Sequence, residues 1–164
     1  MITNREQEKR NFKSSKVKII KNALYFSRWR AGSNVNKNGD RLYIWAAAMK
    51  ACPTGWHLPS VEEWDILINQ FGGQRMAGLA LKSTSGWKDG GNGTNSSGFN
   101  AVPAGDRSSN GAFKYVGEYG YFWSSTEEDD DTAWSRALGY NYSGVFRYGG
   151  GKKSGFSCRC IRDY

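Results

Sequence analysis

The sequence predicts an α+β fold, and three observations carry that reading. One segment, "SVEEWDILINQFGG" (Ser60–Gly73), has the apolar spacing of a helix. The C-terminal half holds several short runs rich in aromatic and β-branched residues, as strands are. Aliphatic residues are scarce, while 21 glycines and many Asn and Ser favour turns and short strands over a helical bundle. At 164 residues the chain has the length of one domain, here one domain with an arm.

In chain order, residues 1–22 read as a charged arm without an apolar face. "KVKIIKNALYF" holds a first strand and "GSNVNKNGD" (Gly32–Asp40) a loop. "RLYIWAAAMKAC" (Arg41–Cys52) reads as a short helix because Ala, Met and Leu favour one, and "PTGWHLPS" as a turn. In the clearest helix, Ser60 followed by Glu63 forms a capping-box pattern. Trp64, Leu67, Ile68 and Phe71 make one apolar stripe, and Gly72 and Gly73 end it. From Lys82 to Ser109 the chain is mostly Gly, Ser, Asn and Thr, a loop that Trp87 and Phe99 are expected to tie down. Strands follow at "GYFWSSTE", "TAWSRAL", "SGVFRY" and "GFSCRCIRD". In the last, Phe156, Cys158, Cys160 and Arg162 alternate with Ser157, Arg159, Ile161 and Asp163.

The net charge of +8 sits at the ends: +7 over residues 1–30, −4 over 31–132 and +5 over 133–164. Such ends suit an acidic partner or simply a solvated surface, and nucleic acid is not the expected ligand. No apolar run reaches membrane-spanning length, and the first 20 residues lack the apolar core of a secretion signal. His57 is the only histidine, so no His-based triad or zinc pattern is expected around it, and packing at the "GWHLP" turn is its expected role. "EEDDD" (Glu127–Asp131) lacks the alternating spacing of a calcium loop and reads as a solvated acidic turn. No catalytic residue, metal site or cofactor is expected.

The stretch "ALGYNYSGVFRYGGGKKSGF" (Ala137–Phe156) has a different character. Twelve of its 20 residues are Gly, Tyr, Ser or Asn. Tyr supplies rigid amphipathic contact area and the small polar residues supply adaptability, the make-up of antibody binding loops. A glycine-rich hairpin edge with stacked rings is the plainer alternative.

"WAAAMKACPTGWHLPSVEEWDIL", "GWKDGGNGTNSSGFNAVPAGDR", "YGYFWSSTE", "AWSRAL" and "SGFSCRCIRD" resemble the Fibrobacter succinogenes major paralogous domain, a family related to the formylglycine-generating-enzyme group. The motifs run from about Tyr43 to Asp163 and leave residues 1–22 outside. The resemblance implies a C-type lectin-like fold over residues 23–164, with two helices bracing a small twisted antiparallel sheet and long irregular loops. It places Cys52 and Cys160 where lectin-like folds tie the first helix to the last strand. Whether they are bridged or two buried thiols stays open, and Cys158 is a small core residue. Relation to the enzyme group implies fold rather than activity.

Some members of the family are variable proteins of diversity-generating retroelements, in which adenines of Asn codons are miscopied. Tyr, Ser, Gly, Asp, Asn and Phe are the products, and they fill "EEDDDTAWSRALGYNYSGVFRYGGG". The resemblance therefore implies a display surface for a protein or glycan ligand on a cell surface, on a virion-associated or cell-surface protein. A fixed glycan-binding cell-surface domain of the same family and an enzyme of the formylglycine-generating type are the alternatives. In this reading Trp134, Arg136 and Leu138 form the buried face of one strand. Ser135, Ala137, Gly139 and Asn141 face outward, joined by Tyr140, Tyr142, Phe146 and Tyr148. The basic arm is expected to mediate assembly onto a larger particle or oligomer.

Overall fold

The computed structural model describes residues 34–38 and 40–163. The basic arm and the strand expected in "KVKIIKNALYF" lie outside them. The elements are β1 (Asn34–Val35), β2 (Arg41–Leu42), α1 (Trp45–Ala48), β3 (Trp56–His57), α2 (Val61–Gln70), α3 (Ala77–Leu81), β4 (Asp106–Arg107), β5 (Phe113–Lys114), β6 (Tyr119–Glu127), β7 (Thr132–Gly139), β8 (Phe146–Gly151) and β9 (Ile161–Arg162). This is an α+β protein with small antiparallel sheets, as the composition predicts. Among the described residues no helix is long and apolar enough to cross a membrane.

Both ends of α2 form as the sequence predicts. The Ser60 hydroxyl accepts from the Glu63 amide at 3.3 Å, and the Glu63 carboxylate accepts from the Ser60 amide at 3.0 Å. Glu62 and Glu63 also place negative charge in the first turn, where the helix dipole favours it. At the other end the Gly73 amide donates to the Ile68 carbonyl at 3.0 Å, with Gly72 and Gly73 at positive φ, a Schellman-type stop. The buried stripe is Val61, Trp64, Leu67 and Ile68, with Phe71 partly buried beside it.

The main sheet has the order β6–β7–β8, antiparallel throughout. Its register pairs Tyr121 with Ala137 and Ala137 with Phe146, and it pairs Trp123 with Ser135 and Ser135 with Tyr148. One face carries Phe122 and Leu138, which join Trp64, Leu81, Trp87, Phe99 and Val145 in the first core cluster. The Trp64, Phe99 and Phe122 rings meet there at centroid distances of 5.3 to 6.1 Å. The opposite face carries Trp123, whose ring packs on Phe156 at 4.3 Å in the second cluster with Tyr43, Ala48, Leu58 and Ala133.

The long Gly/Asn segment after Lys82 is ordered, and Trp87 and Phe99 are the rings that hold it, both buried. Asn95 and Asn100 take positive φ, a conformation Asn tolerates well, and the Asn95 side chain accepts from the Asn100 amide.

Three expectations need correction. The helix expected over Arg41–Cys52 is only Trp45–Ala48, because Arg41 and Leu42 pair with β1. The helix α3 was not expected. The strand expected over "GFSCRCIRD" survives only at Ile161–Arg162, paired with Trp56–His57. Before it the chain changes partner every few residues, bonding Tyr43 through Phe156 and both Tyr121 and Trp123 through Ser157. Alternation fails accordingly: Phe156 and Ser157 are both buried, as are Cys160 and Ile161.

Candidate functional site

The face of the sheet opposite α2 is built from three rows. β6 contributes Tyr119 and Tyr121, β7 contributes Ser135, Ala137 and Gly139, and β8 contributes Phe146 and Tyr148. The register thus brings Ser135, Ala137, Gly139, Phe146 and Tyr148 onto one face, but not at one depth. Ser135, Ala137 and Gly139 are buried rather than outward-facing. The reason is the size of their neighbours. The Tyr119 ring lies where a Cβ on Gly139 would point, and the Ser135 hydroxyl is turned inward to donate to the Tyr148 carbonyl at 2.8 Å. The small residues of the central strand form the floor, and rings from the flanking strands form the walls. Phe146 is 40% exposed and Tyr148 47%, Asn141 is exposed, and Tyr140 and Tyr142 are half-buried. On the reverse side Arg136 and Leu138 are buried as expected, whereas Trp134 is only half-buried, under the Arg147 guanidinium at 4.2 Å.

The turn between β7 and β8 is fixed by groups that lie outside it. Lys82 is buried, and its ammonium donates to the carbonyls of Gly91 at 2.6 Å, Gly139 at 3.1 Å and Tyr142 at 3.2 Å. Burial lowers its pKa, and those three acceptors offset part of the desolvation. The Leu79 amide donates to Ser143 O at 3.2 Å, the Val145 amide to Gln74 O at 2.8 Å and the Tyr140 amide to Glu118 O at 2.9 Å. A Cβ on Gly78 would fall 2.3 Å from Gly144 O, so only glycine lets α3 lie this close beneath the turn. The turn backbone is therefore held by groups outside it, while Asn141 is exposed, Tyr142 is half-buried and Tyr140 packs on the edge of the first core cluster. Tyr142 stacks on Phe146 at 4.3 Å.

Sequence reasoning missed the other half of this surface. Tyr119 stands 6.5 Å from Tyr140, 5.9 Å from Tyr121 and 5.7 Å from Tyr115, and Tyr121 stands 5.5 Å from Tyr148. Tyr115 is 50% exposed and has φ of 59°, which bulky residues rarely adopt. Beside these rings lies Asp106, whose Oδ1 is buried without a hydrogen-bond partner. Burial raises the Asp106 pKa, and burial and the Asp106 charge together raise that of Tyr121. The signal was present in "FKYVGEYGY": set against "ALGY" in antiparallel register, it puts two tyrosines next to the predicted display residues.

The remaining reactive groups are engaged in structure. Cys52 and Cys160 form a disulfide, which resolves the pair left open by the sequence. Cys158 is free, and burial pushes its thiol pKa up to about 12, so the nucleophilic thiolate is disfavoured. His57 bridges Asp163 at 2.6 Å and Glu63 at 3.0 Å. The acidic run forms the β6–β7 turn. There the Asp129 carboxylate accepts from the Asp131 and Thr132 amides, and the Lys152 ammonium donates to the carbonyls of Asp129 and Asp130.

Neither a curated protein nor a solved structure matches the chain. The family model of the Fibrobacter succinogenes major domain matches residues 3–162, which takes in the arm that the motifs left outside. With nearly its whole length covered, the chain belongs to the Fibrobacter succinogenes major domain family.

Proposed function

We propose that the protein is a non-catalytic binding module of C-type lectin-like fold that displays a tyrosine-rich surface to a ligand, as the variable protein of a diversity-generating retroelement does. One observation carries this reading: the turn backbone from Gly139 to Val145, which carries Tyr140, Asn141 and Tyr142, is held by Lys82, Gln74, Leu79 and Glu118, all outside the segment. Side chains can then change without changing the scaffold that presents them. Binding on such a surface also loses little entropy, because the loop is already ordered. Ser135, Ala137 and Gly139 act as its floor.

The lectin-like assignment draws support from the helix α2 packed on a small antiparallel sheet, a long ordered loop and a disulfide from the α1 region to the C-terminal segment. That disulfide also favours an oxidising location such as a cell or virion surface. The enzyme alternative is disfavoured because a formylglycine-type reaction needs a reactive cysteine pair. Here one candidate is bridged and the other is held as the thiol.

The test is genetic. The coding sequence for Glu127–Gly151 is expected to have a near-copy beside a reverse-transcriptase gene, with differences confined to adenines of the copy. Its absence, together with an invariant segment across isolates, would remove the retroelement reading.

A further inference from the structure

The main sheet has two edges, and the fold treats them differently. The outer edge of β6 is covered: Tyr119 O accepts from the Gly105 amide, Tyr121 O accepts from the Ser157 amide, and the Trp123 and Ser125 amides donate to Ser157 O and Pro59 O. Along β8, among the described residues, no strand or backbone group outside β7 bonds to Phe146–Gly150. Antiparallel strands turn the backbone groups of alternate residues to alternate sides. Tyr119, Tyr121 and Trp123 turn outward, so Arg136 and Leu138 bond toward β6, and Ser135 and Ala137 bond toward β8. The same alternation points the N–H and C=O of Arg147 and Gly149 away from the sheet. Bare edges invite pairing, and proteins usually blunt them with a proline, a bulge or a charge. β8 has no proline, and its register with β7 is unbroken. Its one charged side chain, Arg147, lies inward over the Trp134 ring. Phe146, Arg147 and Tyr148 are exposed, and Gly149, Gly150 and Gly151 have no side chains to obstruct an approach.

We propose that β8 is the contact between two copies of this chain, paired antiparallel about Tyr148 into one continuous sheet. The strand is complementary to itself in that register. Tyr148 meets the partner's Tyr148 on the two-fold axis. Arg147 and Gly149 exchange N–H···O bonds with the partner's Gly149 and the partner's Arg147. The two bulky neighbours of Tyr148 then each face a glycine. Arg147 stands opposite the partner's Gly149, and the Glu128 carboxylate of each chain lies over its own Gly149. Among the described residues Arg147 makes no ion pair, and a turn of its side chain off Trp134 brings it to the partner's Glu128. Phe146 stands opposite the partner's Gly150, and the Phe156 ring of each chain lies over its own Gly150. An extended segment of another protein would match the backbone alone. The pairing goes beyond the display reading and does not depend on it. Opposed residues of an antiparallel pair share a face, so the two ring-bearing faces would join on the same side.

The experiment uses the full chain. A short strand edge is a small interface, so sedimentation equilibrium is run up to about 1 mM chain, where the mass should rise from one copy to two. Arg147→Glu should weaken the dimer about tenfold by facing the partner's Glu128 with like charge, and adding Glu128→Arg should restore it. Cross-linking fixes the register. Residues opposed in a non-hydrogen-bonded pair have Cα atoms about 4.5 Å apart, within disulfide reach. Tyr148→Cys should therefore give a disulfide-linked dimer under mild oxidation. Phe146→Cys should not, because it lies four residues, roughly 13 Å along the strand, from its copy. Both positions are exposed, so neither variant empties the core. A chain that stays single at every concentration would overturn the proposal, as would a dimer in which Tyr148→Cys does not cross-link or Phe146→Cys cross-links equally. Slow hydrogen exchange at the Arg147 and Gly149 amides of a chain that stays single would place some other segment on the edge and overturn it too. The display reading fails separately, in the genetic comparison above, which involves no association.

Discussion

Replacing Lys82 by methionine keeps the length of the side chain and removes its three N–H donors. The carbonyls of Gly91, Gly139 and Tyr142 would lose that partner together. A cost of about 3 kcal/mol is expected, the desolvation penalty of one or two orphaned buried acceptors, read as a lower melting temperature. The amides of Gly139–Tyr142 should also exchange faster with solvent. His57 makes a different test. Burial pulls its pKa down, but hydrogen bonds to Asp163 and Glu63, and their charges, outweigh this and raise it above 6.5. A raised folded pKa means that the imidazolium favours the folded state. That contribution is complete below pH 6.5 and is lost as pH rises through the folded value. An NMR titration should place His57 above 6.5, and the melting temperature should fall across that window. His57→Gln should flatten the fall; because the ring is partly exposed, the effect is modest.

At the scale of elements, buried core positions and exposed turn positions should respond differently. Leu138→Ala and Phe156→Ala are each expected to cost about 2–5 kcal/mol, since both side chains are buried. Asn141→Ala, on the exposed turn, should stay within about 0.5 kcal/mol. Denaturant unfolding of the three variants checks this, and equal losses at Asn141 and Leu138 would contradict a pinned backbone. The elements were legible where one periodicity persisted. α2 was read with both ends because Ser60, Glu63, Gly72 and Gly73 act locally, and β6 and β7 were read because their pairing runs without a break from Tyr119–Gly139 to Trp123–Ser135. The segment Phe156–Asp163 was misread because its backbone partners change along it. The depth of Ser135 and Ala137 was illegible for a related reason. Alternation gives the face of a residue, whereas burial depends on the rings that neighbouring strands lay over it.

For the whole molecule, the resemblance named the family that the model match shows, and composition gave the fold class. The Asp106 half of the site was not read, because it arises from strands brought together across the fold. The Cys52–Cys160 bridge spans a sequence separation of 108 residues. Cys160→Ser should cost about 2–5 kcal/mol, measured by chemical denaturation, and a mild reductant should do the same to the native chain. The bridge has a mechanical consequence as well. Tension entering along the chain before Cys52 and leaving after Cys160 passes through two sulfur atoms and bypasses everything between them. The main sheet and the pinned turn sit inside that covalent ring, so tension carried along the chain past both cysteines does not load them. In a single-molecule pulling experiment the oxidised chain should keep that ring closed. The reduced chain should release roughly 35–40 nm of additional contour length, the extended span of the 108 intervening steps.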